Sequence, residues 1–306
     1  MIDLLQTLLN AIAVGSFYAL VALGYTMVYG ILKFINFAHS DIVMLGAWTA
    51  FVVARAAGLA GEEPGWFAGP LILVTAMVAC GALGFTIERL AYRPLRSAPR
   101  LNVLITAIGV SLLLQNIGQL PWVFGTQPQK MPNLLPPIPD LSIGPVPVPL
   151  VDVIGFGTAV VLMLLLERLV FHSKLGRAMR ACAHDPKVAA LMGIPVDRVI
   201  SFTFVLGSAL AAAGGVLFAL KYSGLKQPAD ASWVLLGLKA FVAAVIGGIG
   251  NVRGAMLGGF LIAFIEIFGA KYLSPNLRDV YVFALLIIVL LVRPGGLLGR
   301  ATVEKV

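Results

Sequence analysis

The feature that most constrains this chain is a succession of long apolar runs with almost no charge inside them. They are Leu4–Ile31, Ile42–Ala57, Leu71–Leu90, Leu101–Leu120, Val151–Phe171, Val199–Leu220, Ser232–Ile249, Gly254–Ala270 and Val280–Val292. A helix needs about 20 mainly apolar residues to cross the bilayer core. The pattern therefore predicts an all-α, polytopic membrane protein with eight to nine spans. The uncertain segments are Ile42–Ala57 and the Ser232–Ala270 region, short or glycine-interrupted enough to be broken or re-entrant. Composition enters only to close off the alternatives. Of 306 residues, 12% are charged and 59% hydrophobic, against about 25% and 45–50% in soluble domains. That excludes a soluble enzyme, and so much apolar surface excludes disorder. An outer-membrane barrel would show alternation over about ten residues per strand, which these runs lack.

The basic residues are unevenly placed. Arg89, Arg93, Arg96 and Arg100 fall in one loop; Arg168, Lys174, Arg177, Arg180, Lys187 and Arg198 in or beside another; Arg293, Arg300 and Lys305 after the last span, with Lys33 and Arg253 on the same side. The positive-inside rule makes this the cytoplasmic face. The formal charge of +8 thus reports orientation before any nucleic-acid partner. The opposite face carries Gly58–Pro70, with Glu62 and Glu63, and the Pro-rich loop 121–150. Nine alternating spans would put the N-terminus outside and the C-terminus in the cytoplasm. The first run does not read as a cleaved signal peptide, since Asp3 rather than a basic residue precedes it. The Pro-rich loop is a rigid outer spacer or a docking surface for an external partner. Cys80 and Cys182 show no metal-ligand spacing and read as small hydrophobes.

Three segments stand out. The loop 172–198 reads as two short helices divided at Asp185-Pro186. Asp185 suits an N-cap and Pro186 the first helical position. Val188, Leu191 and Met192 share a face, and Gly193 and Pro195 end the element. It is either a surface helix on the headgroups or a rigid knob, with Arg177 and Arg180 beside it, that docks a cytoplasmic protein. The second segment is glycine-dense: Gly247, Gly248 and Gly250, then Asn251, Gly254 and Gly258. Gly250, Gly254 and Gly258 recur every four residues and suit close helix packing. The first three glycines are dense enough to break a helix and to line a transport path. Packing and path weigh equally. In the third, Asn36, His39 and Asp41 sit between two apolar spans at the inner side. They are read either as helix caps or as an inner gate, because polar groups near a membrane interior are retained for pairing or function. His39 and Asp41 alone are a weak metal signal.

Two charges lie within spans: Lys239, about seven residues in from the outer end, and Glu266, a few residues short of the outer end of the next. At 1.5 Å rise per residue both reach roughly 6–12 Å below the outer boundary. They are expected to face protein or water rather than lipid. No Walker A pattern is present, and His39, His172 and His184 have no neighbouring nucleophile with an orienting carboxylate. The chain reads as a non-enzyme with no cofactor or metal. Two function classes follow: a permease worked by partner proteins, or a self-contained channel or ion-coupled carrier in which Lys239, Glu266, Asp41 and His39 couple the ion.

Specific motifs favour the first. The run Gly15-Ser-x-Tyr-Ala-Leu-x-Ala-Leu-Gly24 with Tyr29 and Gly30, then Asn36-Phe-Ala-His39-x-Asp41 with Met44-x-Gly46, resembles the N-terminal signature of LivH-type permeases. These are membrane subunits of branched-chain amino acid ABC importers. Gly176-Arg-Ala-x-Arg-Ala181, Ala189-x-x-x-Gly193, Gly247-Gly-x-Gly250, Gly254-Ala255 and Arg293-Pro-Gly-Gly-Leu-Leu-Gly299 extend the resemblance over essentially the whole chain. It departs at Ser40, where the family usually has Gly. The resemblance implies a bacterial inner-membrane importer translocating branched-chain or related neutral amino acids by alternating access. It also implies a heterodimer with a homologous second permease, two cytoplasmic ATPase subunits and a periplasmic amino-acid-binding protein. Residues Arg177–Gly193 correspond to the region expected to contact the ATPase.

Overall fold

The computed structural model describes residues 2–59, 65–96, 98–136, 140–143 and 146–299. Glu62, Glu63, Arg300 and Lys305 lie outside the described residues, as does the side chain of Arg100. Among the described residues there are eleven α-helices: α1 (Ile2–Leu32), α2 (His39–Ala56), α3 (Ala68–Ile87), α4 (Arg100–Gly118), α5 (Leu150–His172), α6 (Lys174–His184), α7 (Pro186–Leu191), α8 (Val196–Tyr222), α9 (Ala231–Gly247), α10 (Val252–Tyr272) and α11 (Arg278–Val292). The nine long ones coincide with the nine apolar runs, and the chain is all-α. Seven of them are long and apolar enough to cross a membrane, and α9 is apolar but shorter. α2 is not among the seven; it carries His39, Asp41 and Arg55 within 18 residues.

Helices α1 and α8 form the centre. The apolar window of α1 is 94% buried, whereas that of α11 is 6% buried. A helix that is apolar all round can face either protein or lipid, so only packing separates these two. Small residues let the central helices close on one another. A Cβ at Gly46 of α2 would stand 2.4 Å from the Cα of Ala212 in α8, and one at Gly259 of α10 would stand 2.5 Å from the backbone N of Ala19 in α1. Without a hydrophobic force between helices in lipid, close backbone approach is a principal source of association.

Helix α2 begins inside the bundle. Its first residue, His39, lies against Val21, with Nε2 3.2 Å from the Val21 carbonyl oxygen, and beside Gly24, where a Cβ would fall 2.5 Å from the imidazole. Gly24 is eight residues short of the end of α1, about 12 Å along its axis. The connection over residues 33–38 therefore climbs back into the protein, with Asn36 and Ala38 buried. Such irregular backbone is tolerated at membrane depth only when protein covers it.

Short strands lie within the loop 121–150. β1 (Gln129–Lys130) pairs antiparallel with β4 (Gly224–Leu225), which follows α8. β2 (Leu141–Ile143) pairs with β3 (Val146–Val148). The β1–β4 pair lies where α8 ends, and Gln129, Gly224 and Leu225 line a cavity at that end of the bundle.

Candidate functional site

At that end, side chains from three helices close on Glu266 of α10. Lys239 of α9 places Nζ 2.9 Å from Glu266 Oε1 and 2.6 Å from Asp279 Oδ1 at the start of α11. Tyr18 of α1 donates its hydroxyl to Glu266 Oε2 at 2.8 Å. The Arg278 guanidinium pairs with the same carboxylate. Glu266 is fully buried and Lys239 nearly so. Two cations and two carboxylates balance; Arg278 and Asp279 are partly exposed, and they partner the two charges held out of water, Glu266 and Lys239. Asp279 also sits in the first turn of α11, where a negative charge complements the helix dipole. The network forms one wall of a cavity of about 410 Å³, otherwise lined mainly by aromatic and aliphatic side chains.

The polar residues of the α1–α2 connection are deeper than an inner surface position. Neither Asn36 nor Asp41 caps α2, whose N-cap position is Ala38 with no side-chain bond. Asn36 Oδ1 instead accepts from the Tyr92 hydroxyl at 2.6 Å. Asp41 Oδ1 accepts from Gln115 Nε2 on α4 at 2.8 Å, while its Oδ2 is buried without a partner among the described residues. His39 packs on Tyr25, ring centroids 4.3 Å apart. No group of three or more His, Cys, Asp or Glu side chains assembles among the described residues.

The glycine segment divides into two functions. Gly247 ends α9, Gly248 (φ +107°) and Gly250 (φ +90°) turn the chain in a left-handed conformation, and Asn251 caps α10 by accepting from the Gly254 N–H. Gly250 therefore stands outside the helix, against Gly30 of α1, and the packing face of α10 is Gly254 and Gly258. A Cβ at Gly258 would lie 2.0 Å from the Ala243 carbonyl oxygen of α9. The carbonyls freed where α9 ends are taken by the C-terminal turn: Leu297 N–H bonds to Ile246 O at 2.8 Å and Leu298 N–H to Gly247 O at 3.0 Å. Asn251 Nδ2 in turn donates to Leu298 O at 2.8 Å. Protein, rather than cavity water, satisfies this break.

The loop 172–198 projects from the same, basic end. Ser173 caps α6 by accepting from the Gly176 N–H. Gly176 has no room for a Cβ, which would meet the Val170 carbonyl oxygen at 2.2 Å, so α6 folds tightly back on α5. Arg180 bonds to that same carbonyl and lies over Phe171, so it secures the hairpin, while Arg177 is exposed. Asp185 Oδ1 accepts from the N–H groups of Lys187 (2.8 Å) and Val188 (3.1 Å), Pro186 opens α7, and Gly193 (φ +78°) ends the element. Leu191 is 87% exposed, Met192 78% and Val188 53%. These three apolar side chains form an exposed tip on the α6–α7 hairpin.

The structure adds residues that sequence inspection passed over. Glu88, in a π-helical turn (Glu88–Tyr92) after α3, is fully buried, accepts from Ser201 Oγ at 2.5 Å and pairs with Arg96. Arg96 also holds Asp197 at 2.6 Å. A carboxylate inside the run Leu71–Leu90 was the available signal. For Tyr18, Arg278 and Asp279 there was none: a tyrosine in a span is ordinary, and the other two lie just outside one.

A closely packed bundle of long apolar helices, with charge buried at depth and α2 starting inside it, defines a multi-pass membrane protein. Residues 7–290 match the family described as "Branched-chain amino acid transport system / permease component". The chain is 43% identical over 305 residues to the high-affinity branched-chain amino acid transport system permease protein LivH of Escherichia coli K12, covering 99% of this chain and 97% of that protein. It is 44% identical over 309 residues to the corresponding permease protein BraD of Pseudomonas aeruginosa, covering 99% and 98%. The fold is similar to a chain of PsaBC from Streptococcus pneumoniae in complex with Fab, with TM-score 0.50, 11% identity, and 94% and 91% of the two chains covered. This chain belongs to the branched-chain amino acid transport permease family.

Proposed function

We propose that this chain is the membrane subunit of an ABC importer that moves branched-chain or related neutral amino acids into the cell by alternating access. The observation that carries the reading is the α6–α7 knob. Val188, Leu191 and Met192 are held out in solvent on a capped, six-residue helix, with Arg177 exposed beside them. An apolar tip on a basic mount suits docking into a cytoplasmic ATPase. In this reading the chain pairs with a homologous second permease, two ATPase subunits bind the cytoplasmic face, and a periplasmic amino-acid-binding protein delivers substrate to the outer face. The N-terminus lies outside and the C-terminus in the cytoplasm of the bacterial inner membrane. Asn36, His39 and Asp41 form the inner gate, and Gly250, against Gly30 of α1, lies with Gly247, Gly248 and Asn251 along the path. Lys239 and Glu266 lie on the outer part of the path. ATP binding drives the cycle only through different affinities of the ATPase for the two conformations.

The Leu191→Asp variant tests the knob. It is expected to insert into the membrane normally and to lose co-purification with the ATPase subunits. Normal assembly and transport in the variant would remove the docking role. Uptake by the purified chain without ATPase or binding protein would instead establish a self-contained carrier.

A further inference from the structure

The cavity at the outer end has two unlike halves. Its polar wall is Glu266, Lys239, Arg278 and Tyr18; its apolar walls include Trp233 and Leu236. Glu266 is fully buried and Lys239 is 6% exposed, so both charges are held out of water beside an apolar space. A cavity of about 410 Å³ falls within the range of small-molecule sites, which are mainly apolar with a few convergent polar groups. The polar groups are of both signs and already neutralise one another.

We propose that this cavity is a binding subsite for a zwitterionic aliphatic α-amino acid on its way through the permease. The ligand's ammonium takes the place of Lys239 on Glu266, and its carboxylate takes the place of Glu266 on Arg278 or Lys239. Every ion pair that opens is replaced by another, so a zwitterion enters with no net change of buried charge. The aliphatic side chain then rests against the apolar walls. A ligand with one charge adds a net charge to a network that is already neutral, beside the buried Glu266 and Lys239, which is costly. The site thus discriminates against acids and amines by electrostatics and accepts aliphatic side chains of several shapes. The inference rests on the amino-acid permease reading above and assigns to it a site and a ligand chemistry.

The test uses the full transporter complex in nanodiscs without its binding protein. L-leucine, 4-methylpentanoate and 3-methylbutylamine are compared by saturation-transfer NMR. L-leucine is expected to contact the wild-type complex, and the two single-charge analogues to bind about tenfold more weakly or worse. Lys239→Met/Glu266→Gln removes both charges together. It is expected to lose the leucine signal and, in proteoliposomes with the binding protein, to cut ATP-driven leucine uptake per assembled complex about tenfold. An ion pair that only braces the helices predicts the opposite, because replacing a buried pair by neutral groups of similar volume is often harmless. Wild-type leucine uptake with equal uptake in the double variant, or no leucine contact with the wild type, overturns the subsite alone. Absence of leucine uptake by the wild type overturns the permease reading itself. Should the double variant fail to assemble, Leu235→Trp, at a further residue of the cavity lining, keeps every charge and narrows the apolar half. It is expected to weaken the leucine signal, and an undiminished signal overturns the proposal.

Discussion

At the scale of single residues, the molecule is ruled by the cost of leaving a polar atom unpaired away from water. Glu266 meets that cost with three donors from three helices, and each should be individually detectable. Replacing Tyr18 by Phe removes one donor to Glu266 Oε2 and is expected to cost about 1–3 kcal/mol. A lowered unfolding midpoint in detergent is the readout; an unchanged midpoint would show that the hydroxyl contributes nothing. Asp41 is the contrasting case, with one oxygen bound to Gln115 and the other unpartnered among the described residues. The sequence exposed Lys239 and Glu266 because a charge in an apolar run is conspicuous, and Asp41 because it sits in a short polar break between two such runs. It could not expose Tyr18 or Arg278, whose roles exist only through residues more than two hundred positions away or on another helix.

At the scale of elements, glycine positions separate those that matter from those that do not. A Cβ at Gly258 would meet the Ala243 carbonyl oxygen at 2.0 Å, whereas one at Gly109 of α4 meets nothing within 4 Å. Gly258→Leu should force α9 and α10 apart and abolish monodisperse, folded protein on size-exclusion chromatography. Gly109→Leu should leave the profile unchanged; similar profiles for both would contradict the packing account. The every-fourth-residue glycine pattern in the sequence pointed to this packing, but it counted Gly250 in the helix. The left-handed φ of Gly250 and the Asn251 cap place it before the helix instead. Likewise, the boundary at Asp185-Pro186 was legible because caps and proline act locally, whereas the folding of Arg180 back onto α5 depends on a tertiary contact.

At the scale of the whole molecule, charge and packing act on different axes. The arginine-rich end carries the α6–α7 knob, and the opposite end carries the strand-lined cavity. In the proposed orientation, and in cells expressing the chain without its ATPase subunits, a cysteine at Leu191 should react with an impermeant maleimide only after the membrane is opened. One at Phe67, 86% exposed, should react in intact cells, and the reverse labelling pattern would invert the topology. The two native cysteines are buried and give a low background. The sequence by itself determined the solvent of this protein, the position of its helices, its family and its basic end. Those follow from hydropathy, local capping and charge, which act over one or two helical turns or need no contact at all. Only the tertiary structure decided that α1 is central and α11 peripheral, that α2 starts inside the bundle, and which charges meet. Lipid-facing and protein-facing helices are equally apolar, so composition cannot rank them. Close approach of backbones and pairing of distant charges do.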